Sequence, residues 1–497
     1  MRLETLLEGL SDYEIIYDTS EYDKDVHRLS SDSREPQENG LYFCLTGGEL
    51  DGHLFAKEAV KKGAVAMVVE RKLCVDVPQI LVKNTRYALS ILSAAFYQNP
   101  SKTLKVIGIT GTNGKTTTAH MLKSILEKGG KKTGLIGTLG ASFGEHVFPH
   151  ELTTPDPIVL QRTLAQMRDL GAEYVVMEVS AHALYYQKTD GVSFVACIFT
   201  NFTQDHLDFF QTMQAYKRAK KRLFETADCP IVVCNGDDET GREFGKAFEE
   251  SGKDRQRKTV YYGMNTPSDA FAIITNETLY AIECLLNVND KLCRISLSLT
   301  GLHNVYNALA AASCAVELGA HISSVAAGLG ALKRIQGRLE KVAKYHGGDV
   351  FVDFAHTPDG LFQSLTALKA HCKGRLICLF GCGGNRDKSK RAPMGETVAK
   401  LCDFCVLTSD NPRYEDPLDI IGEIERGYRR FSMRYLIVPE RKIALGYALD
   451  FLRENDVLLV AGKGGENEQE IMGIKYPFND NDIIEKIIEG KERIFTE

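Results

Sequence analysis

Gly111-Thr112-Asn113-Gly114-Lys115-Thr116-Thr117 decides the fold of this chain. It follows the apolar run KVIGIT at 105–110 and precedes a segment in which Ala119, Leu122, Ile125 and Leu126 recur at helical spacing. A strand that turns through glycines into a helix builds a phosphate cradle. Backbone N–H groups and the helix N-terminus face the oxygens, Lys115 adds a charge, and Thr116 is placed to ligate magnesium. The general P-loop pattern wants Gly five residues before Gly114, and Ile109 stands there, so the motif is a variant of the common form.

Outward from the motif, short apolar strands alternate with helical patterns at 134–137, 174–179 and 196–200, the grammar of a mostly parallel sheet. The grammar returns with strands at 350–354, 376–380, 404–408 and 457–461, which exit into AHTPD, GCGGNRD, SDNPR and GKGGE. Open parallel sheets bind ligands beyond the carboxyl ends of their strands, and Arg with Gly at these exits suits an anion. Punctuation falls at Gln98-Asn99-Pro100, after the helix-like run 87–97, and at 333–337, after an Ala-rich helical stretch at 307–332. The expected organisation is α/β in three domains: 1–100, a central parallel-sheet P-loop domain at 101–335, and a doubly wound domain at 336–497.

Composition sets outer limits. A chain of 497 residues suits about three domains, and 44% hydrophobic with 25% charged residues excludes a disordered one. Net charge is -6, which gives no global attraction to nucleic acid or an anionic membrane. MRLETLLEGL carries no continuous apolar h-region, and no later run nears the ~20 apolar residues of a membrane span, so a cytoplasmic protein is expected. Thirteen cysteines, most within apolar runs, read as reduced buried thiols; the lone Cys402-x-x-Cys405 reads as core.

Glu178 ends the strand YVVMEVS, where a carboxylate has no evident structural use but can reach a cation beside bound phosphates. His206 follows the next strand in TNFTQDHLDFF. In YKRAKKRLF, Tyr216, Lys220, Leu223 and Phe224 fall at i, i+4, i+7 and i+8, so Lys220 shares the apolar stripe while Lys217, Arg218, Lys221 and Arg222 point elsewhere. A desolvated lysine favours its neutral amine, which can add carbon dioxide to form a carbamate with oxygen ligands for magnesium. From the pattern alone, a lysine that merely snorkels is the better reading.

GTNGKTT, TNFTQDHLDFF with AKKRLF, GLHNVYNALAA from Gly301, QGRLEKV from Gln336 and DFAHTPD from Asp353 resemble the Mur ligase family, in order and over essentially the whole chain. Asp32-Ser33-Arg34, Asp51-Gly52-His53 and Thr153-Thr154 resemble the member that adds the third amino acid. The resemblance implies a small UDP-substrate domain, a central ATPase domain and a C-terminal Rossmann-like domain, with ATP and Mg2+ required. It implies that Gly111, Thr112, Asn113, Gly114, Lys115, Thr116 and Thr117 hold ATP, with Asn304, Arg338 and His356 against the nucleotide. Lys115, Glu178, His206 and Lys220 take the catalytic positions, and Thr116, Glu178, His206 and Lys220 the metal positions, Lys220 as N6-carboxylysine. Ser33, Thr153, Thr154, Ser180 and Lys188 stand where the UDP-muramoyl-dipeptide is contacted, Lys188 replacing the usual arginine.

For the incoming amino acid the resemblance implies Arg386, Asp410, Asn411, Pro412, Arg413, Gly462 and Glu466. Two guanidinium groups suit a distal carboxylate, as in meso-diaminopimelate, and lysine has none. Gly465 and Glu468 depart from the family's histidine and aromatic. The implied reaction is activation of the D-glutamate γ-carboxylate by ATP as an acyl phosphate, then displacement of phosphate by the diaminopimelate amine, in a monomer. Three rivals stand beside it. One is the same ligase adding lysine or another diamino acid. Another is folylpolyglutamate synthase, which lacks the DSR-type first domain and the DNPR loop. The third is a nucleotide switch without turnover, for which Gln187-Lys188-Thr189-Asp190 imitates a guanine-reading box.

Overall fold

The computed structural model describes residues 1–16, 23–35, 37–47, 50–226, 229–251 and 257–490. The chain forms two compact units: Met1–Gly108 with Lys132–Cys197 and Ala219–Pro230, and Ile109–Lys131 with Ile198–Arg218 and Ile231–Glu497.

The first unit opens with a five-stranded sheet in the order Glu14–Ile16, Gln79–Leu81, Ala64–Val69, Gly40–Phe43, Arg28–Ser30, parallel except for its first strand. Alternation of side chains sorts its apolar residues onto two faces. Leu41, Phe43, Ala66 and Val68 pack with Leu3, Leu6, Leu89 and Leu92, whereas Tyr42, Met67 and Val69 pack with Ala56 and Ala59. Ala64 and Ala66 share parity yet sit in opposite clusters, because the register shifts by one residue between them. The same unit carries Tyr174–Glu178 parallel to Thr133–Gly137, followed by the antiparallel Gly140–Phe143 and His146–Phe148.

In the second unit the helix Lys115–Lys128 packs against Leu302–Glu317 and Ile322–Ala331. Gly328 permits that approach, since a Cβ there would strike the backbone of Ile125. The helical stretch expected at 307–332 is two helices. The first ends before Gly319 at φ +91°, and His321 caps the second by accepting from Ser323 N–H. The expected mostly parallel sheet carries an antiparallel edge: Ile231–Asn235, Lys258–Tyr262 and Ala270–Glu277 pair in parallel, and Ala270–Glu277, Ile282–Val288 and Lys291–Leu297 form an antiparallel meander.

The last sheet has the order Glu340–Tyr345, Gly348–Asp353, Val457–Ala461, Leu376–Phe380, Phe404–Leu407, Tyr435–Ile437, parallel except for the first strand. Phe351, Cys378, Phe380, Cys405 and Leu459 face the helices Pro358–Lys369, Arg391–Leu401 and Pro417–Tyr428. Val350, Ile377, Leu379, Val406 and Leu458 face Arg441–Asp450 and Asp480–Ile488. Val457–Ala461 is the last of these six strands in the sequence but lies between Gly348–Asp353 and Leu376–Phe380, a reversal of order that opens a crevice at the carboxyl ends. Cys402 and Cys405 belong to this core, and all thirteen cysteines are free thiols, most of them buried.

Candidate active site

Gly111 has φ +151° and Gly114 φ +84°, and a Cβ at either would land on the Thr200 hydroxyl or on Asn307 Oδ1 respectively. The turn is therefore held tightly from outside. Thr200 Oγ1 donates to Asn113 O at 2.6 Å, and Asn113 N–H donates to Asn201 Oδ1 at 2.9 Å. No side chain caps the helix that starts at Lys115, which leaves its first N–H groups directed at the cradle. Lys115 Nζ bends back over the loop to donate to Gly111 O and Thr112 O at 2.9 and 2.8 Å.

Two contacts join this cradle to the last sheet. Arg338 lies 4.4 Å over the Phe354 ring and donates through Nη2 to Thr116 Oγ1 at 2.8 Å; Asn113 Nδ2 donates to Asp359 Oδ2 at 2.9 Å. Asn304 is buried, donates to Thr300 O at 2.7 Å and accepts from Asn307 Nδ2 at 3.2 Å. His206, at φ +56°, and His356 meet on one carboxylate that sequence reasoning passed over. Asp205 Oδ2 lies 3.3 Å from His206 Nε2 and 3.5 Å from His356 Nε2, and Oδ1 lies 3.3 Å from the buried Lys390 Nζ. Burial alone would raise the Asp205 carboxyl, but the His356 hydrogen bond and the charges of Lys390, His356 and His206 hold it well below its usual value.

At the exits of the last sheet the DNPR and GKGGE loops are knitted together. Asn411 Nδ2 donates to Glu466 Oε2 at 3.0 Å, and the fully buried Lys463 Nζ donates to Asn411 Oδ1, Glu466 Oε2 and Glu468 O at 3.0, 2.8 and 2.7 Å. Asp410 is buried, and burial would push its carboxyl up, but Lys463 and Arg441 bring it below the usual range. Its Oδ2 lies where a Cβ on Gly462 would sit, so that glycine makes room for it. Arg441 is fully buried and bidentate to the fully buried Asp480 at 2.9 and 2.7 Å, and it also donates to Ser409 O and Ala461 O. Arg413, following Pro412 and at φ +53°, donates from Nε to Glu470 Oε2 at 2.9 Å and from Nη1 to Gly384 O at 2.8 Å. The guanidinium expected to await a ligand thus already shares a carboxylate. Desolvation, then the charge of Arg413, lowers the affinity of Arg386 for its proton. Fully buried Arg391 holds the two Arg-bearing loops in register through Glu415 at 2.9 and 3.0 Å, Glu423 at 3.1 Å and Gly383 O at 3.4 Å.

The first unit places Glu178 in a hydroxyl cluster. Its Oε1 accepts from Thr138 N–H at 2.9 Å and its Oε2 from Thr138 Oγ1 at 3.1 Å. The Thr138 and Thr153 hydroxyls lie 3.1 Å apart, Thr154 Oγ1 donates to Glu178 O at 2.9 Å, and Ser180 N–H donates to Thr154 Oγ1 at 3.0 Å. Glu178 therefore does have a structural use, contrary to the expectation from its strand, and Thr138 is a further member of the cluster. Ser33 is buried beside Tyr42, and its carbonyl accepts from Lys62 Nζ at 2.8 Å. Lys188 pairs with Asp156 at 2.7 Å on the wall of a 150 Å³ cavity shared with Ser31, Arg86 and Tyr186. Lys220 is 1% exposed, like Tyr216 and Leu223 on the same stripe.

Lys390, Arg391, Arg441 and Glu470 carry no motif of their own, whereas Asp205 lies within TNFTQDHLDFF beside His206.

The chain matches the Mur ligase family catalytic domain over residues 25–97, the Mur ligase middle domain over 109–315, and the Mur ligase glutamate ligase domain over 337–464. It is 39% identical over 495 residues to a UDP-N-acetylmuramoyl-L-alanyl-D-glutamate–2,6-diaminopimelate ligase of Caldanaerobacter subterraneus subsp. tengcongensis, covering 99% of this chain and all of that one. An enzyme of the same name from Syntrophomonas wolfei is 39% identical over 497 residues, with the same coverage. A solved structure of a ligase of that name superimposes with a TM-score of 0.70 at 28% identity, over 99% of both chains.

Proposed function

The chain belongs to the Mur ligase family, and from that premise we propose that it joins meso-2,6-diaminopimelate to the γ-carboxylate of D-glutamate in UDP-N-acetylmuramoyl-L-alanyl-D-glutamate, consuming ATP and releasing ADP and phosphate. Residues 1–100, 101–335 and 336–497 are the domains for the UDP-substrate, ATP and the amino acid in this reading. The observation that carries it is the pair Arg386 and Arg413 at the carboxyl edge of a sheet that also sends Arg338 to the P-loop.

ATP sits against Gly111 to Thr117, with Lys115 and the helix N-terminus drawing off charge as the γ-phosphoryl group passes to the substrate carboxylate. Arg338, Asn304 and His356 line the nucleotide. Asp205 orients His206 and His356 and balances Lys390. The acyl phosphate then meets the diaminopimelate amine, whose distal end is held by Arg386, Asp410, Asn411, Pro412, Arg413, Gly462 and Glu466. Thr153, Thr154, Ser180, Ser33 and Lys188 hold the UDP-muramoyl-dipeptide.

Magnesium would rest on Thr116, Glu178, His206 and Lys220, the last as N6-carboxylysine, and would neutralise phosphate charge. The donor set fits a hard cation that takes few protein ligands beside substrate phosphates. Glu178 would bring two carboxylate oxygens and Thr116 a hydroxyl. In this reading the enzyme is a cytoplasmic monomer. Among the described residues no helix is long and apolar enough to cross a membrane.

The test is ADP release with ATP, with and without UDP-muramoyl-dipeptide and diaminopimelate. Turnover that needs both supports the ligase, and turnover indifferent to the dipeptide overturns it.

A further inference from the structure

Arg386 and Arg413 both flank Gly383, where an added Cβ would lie 2.9 Å from Arg413 Nη1 and 3.6 Å from Arg386 Cγ, and a carboxylate from a third segment bonds Arg413. Glu470 belongs to the strand Glu468–Ile471, whose alternation sends Gln469 into the core and Glu470 to the opposite face. Its position is fixed at three points. Glu470 N–H donates to Asn411 Oδ1 at 3.0 Å, Glu470 O accepts from Arg413 N–H at 3.1 Å, and Oε2 accepts from Arg413 Nε at 2.9 Å. The bond to Nε occupies one edge of the guanidinium. The Nη edge, with Nη1 already on Gly384 O, then sets the direction in which the remaining donors point. Glu466, also among the residues implied for the incoming amino acid, has its Oε2 bonded by both Lys463 and Asn411.

We propose, resting on the ligase reading above, that Glu470 is the specificity residue for the distal amino group of the incoming acid: it orients Arg413 through Oε2 and takes the ammonium on Oε1, beside the carboxylate held by the two arginines. Two guanidiniums and Glu470 sum to +1, so a lone distal carboxylate suffices to neutralise them. A distal ammonium beside that carboxylate is tolerated only while Glu470 keeps its charge.

The experiment compares wild-type enzyme with Glu470→Gln and Glu470→Asp, given ATP and UDP-muramoyl-dipeptide, using meso-diaminopimelate and 2-aminopimelate as alternative acceptors. 2-Aminopimelate keeps the distal carboxylate and lacks the distal amine. Glu470→Gln keeps an acceptor for Arg413 Nε but loses the charge. It should lower the ratio of kcat/KM for diaminopimelate over aminopimelate by about tenfold, the worth of a charge-assisted hydrogen bond, with the KM for ATP unchanged. Glu470→Asp should restore part of the ratio. An unchanged ratio in Glu470→Gln, or an equal loss with both acceptors, overturns the proposal. If wild-type enzyme uses neither acceptor, the ligase reading itself fails.

Discussion

Arg391→Met removes a fully buried cation that bonds both arginine-bearing loops. The guanidinium is 0% exposed and makes a bidentate pair with Glu415, itself 16% exposed, with Glu423 as a third partner. Removing one partner of a buried pair costs about 3–5 kcal/mol; the lower end applies, because Glu415 keeps Lys388 and Asn385 N–H and reaches some solvent. At roughly 2–4 °C per kcal/mol, about 3 kcal/mol lowers the Tm by roughly 6–12 °C. The Arg391 hydrogen bonds hold the Glu415 carboxyl at about 2, against an ordinary 4.5. A folded value below the unfolded one means that this stabilisation is full above 4.5 and lost as pH falls toward 2. The Tm gap between wild type and variant should therefore be constant near neutrality and close across that acid interval. Scanning calorimetry over pH reads the gap, and steady-state assays should show a raised KM for the amino acid with the KM for ATP unchanged. A gap under about 1 °C at neutral pH, or one that widens in acid, refutes the reasoning.

Lys220→Ala should lower kcat at least about a hundredfold, and 13C NMR after equilibration with labelled bicarbonate should show a carbamate carbon in wild type that the variant lacks. Signal and activity that are indifferent to the substitution would remove the carboxylysine from the mechanism. Arg441→Met strands the buried Asp480 and should cost about 3–5 kcal/mol in chemical denaturation, while Arg441→Met with Asp480→Leu should recover most of that loss.

Much of the site was legible because its chemistry is written in local patterns. The P-loop announces itself by strand, glycines, Lys-Thr and helix within a dozen residues, and the inward turn of Lys220 follows from helical spacing with Tyr216, Leu223 and Phe224. Four of the five parallel strands of the last sheet, at 348–353, 376–380, 404–407 and 457–461, are largely continuous apolar runs with residues buried on both faces. The meander at 270–297 was missed because its strands bury only alternate residues, which leaves no long apolar run. Asp205 and Lys390, Arg441 and Asp480, and Arg413 and Glu470 were illegible for a different reason. Each side chain looks solvated in its own neighbourhood, and its partner lies 185, 39 or 57 residues away. Only the folded exits of the sheet reveal that these charges are paired.

The most direct test supplies the enzyme with ATP, UDP-N-acetylmuramoyl-L-alanyl-D-glutamate and equimolar meso-diaminopimelate and L-lysine, and weighs the product by mass spectrometry. The guanidinium pair at the sheet exits predicts a UDP-muramoyl-tripeptide carrying diaminopimelate, with ADP formed in equal amount. A product carrying lysine would contradict it.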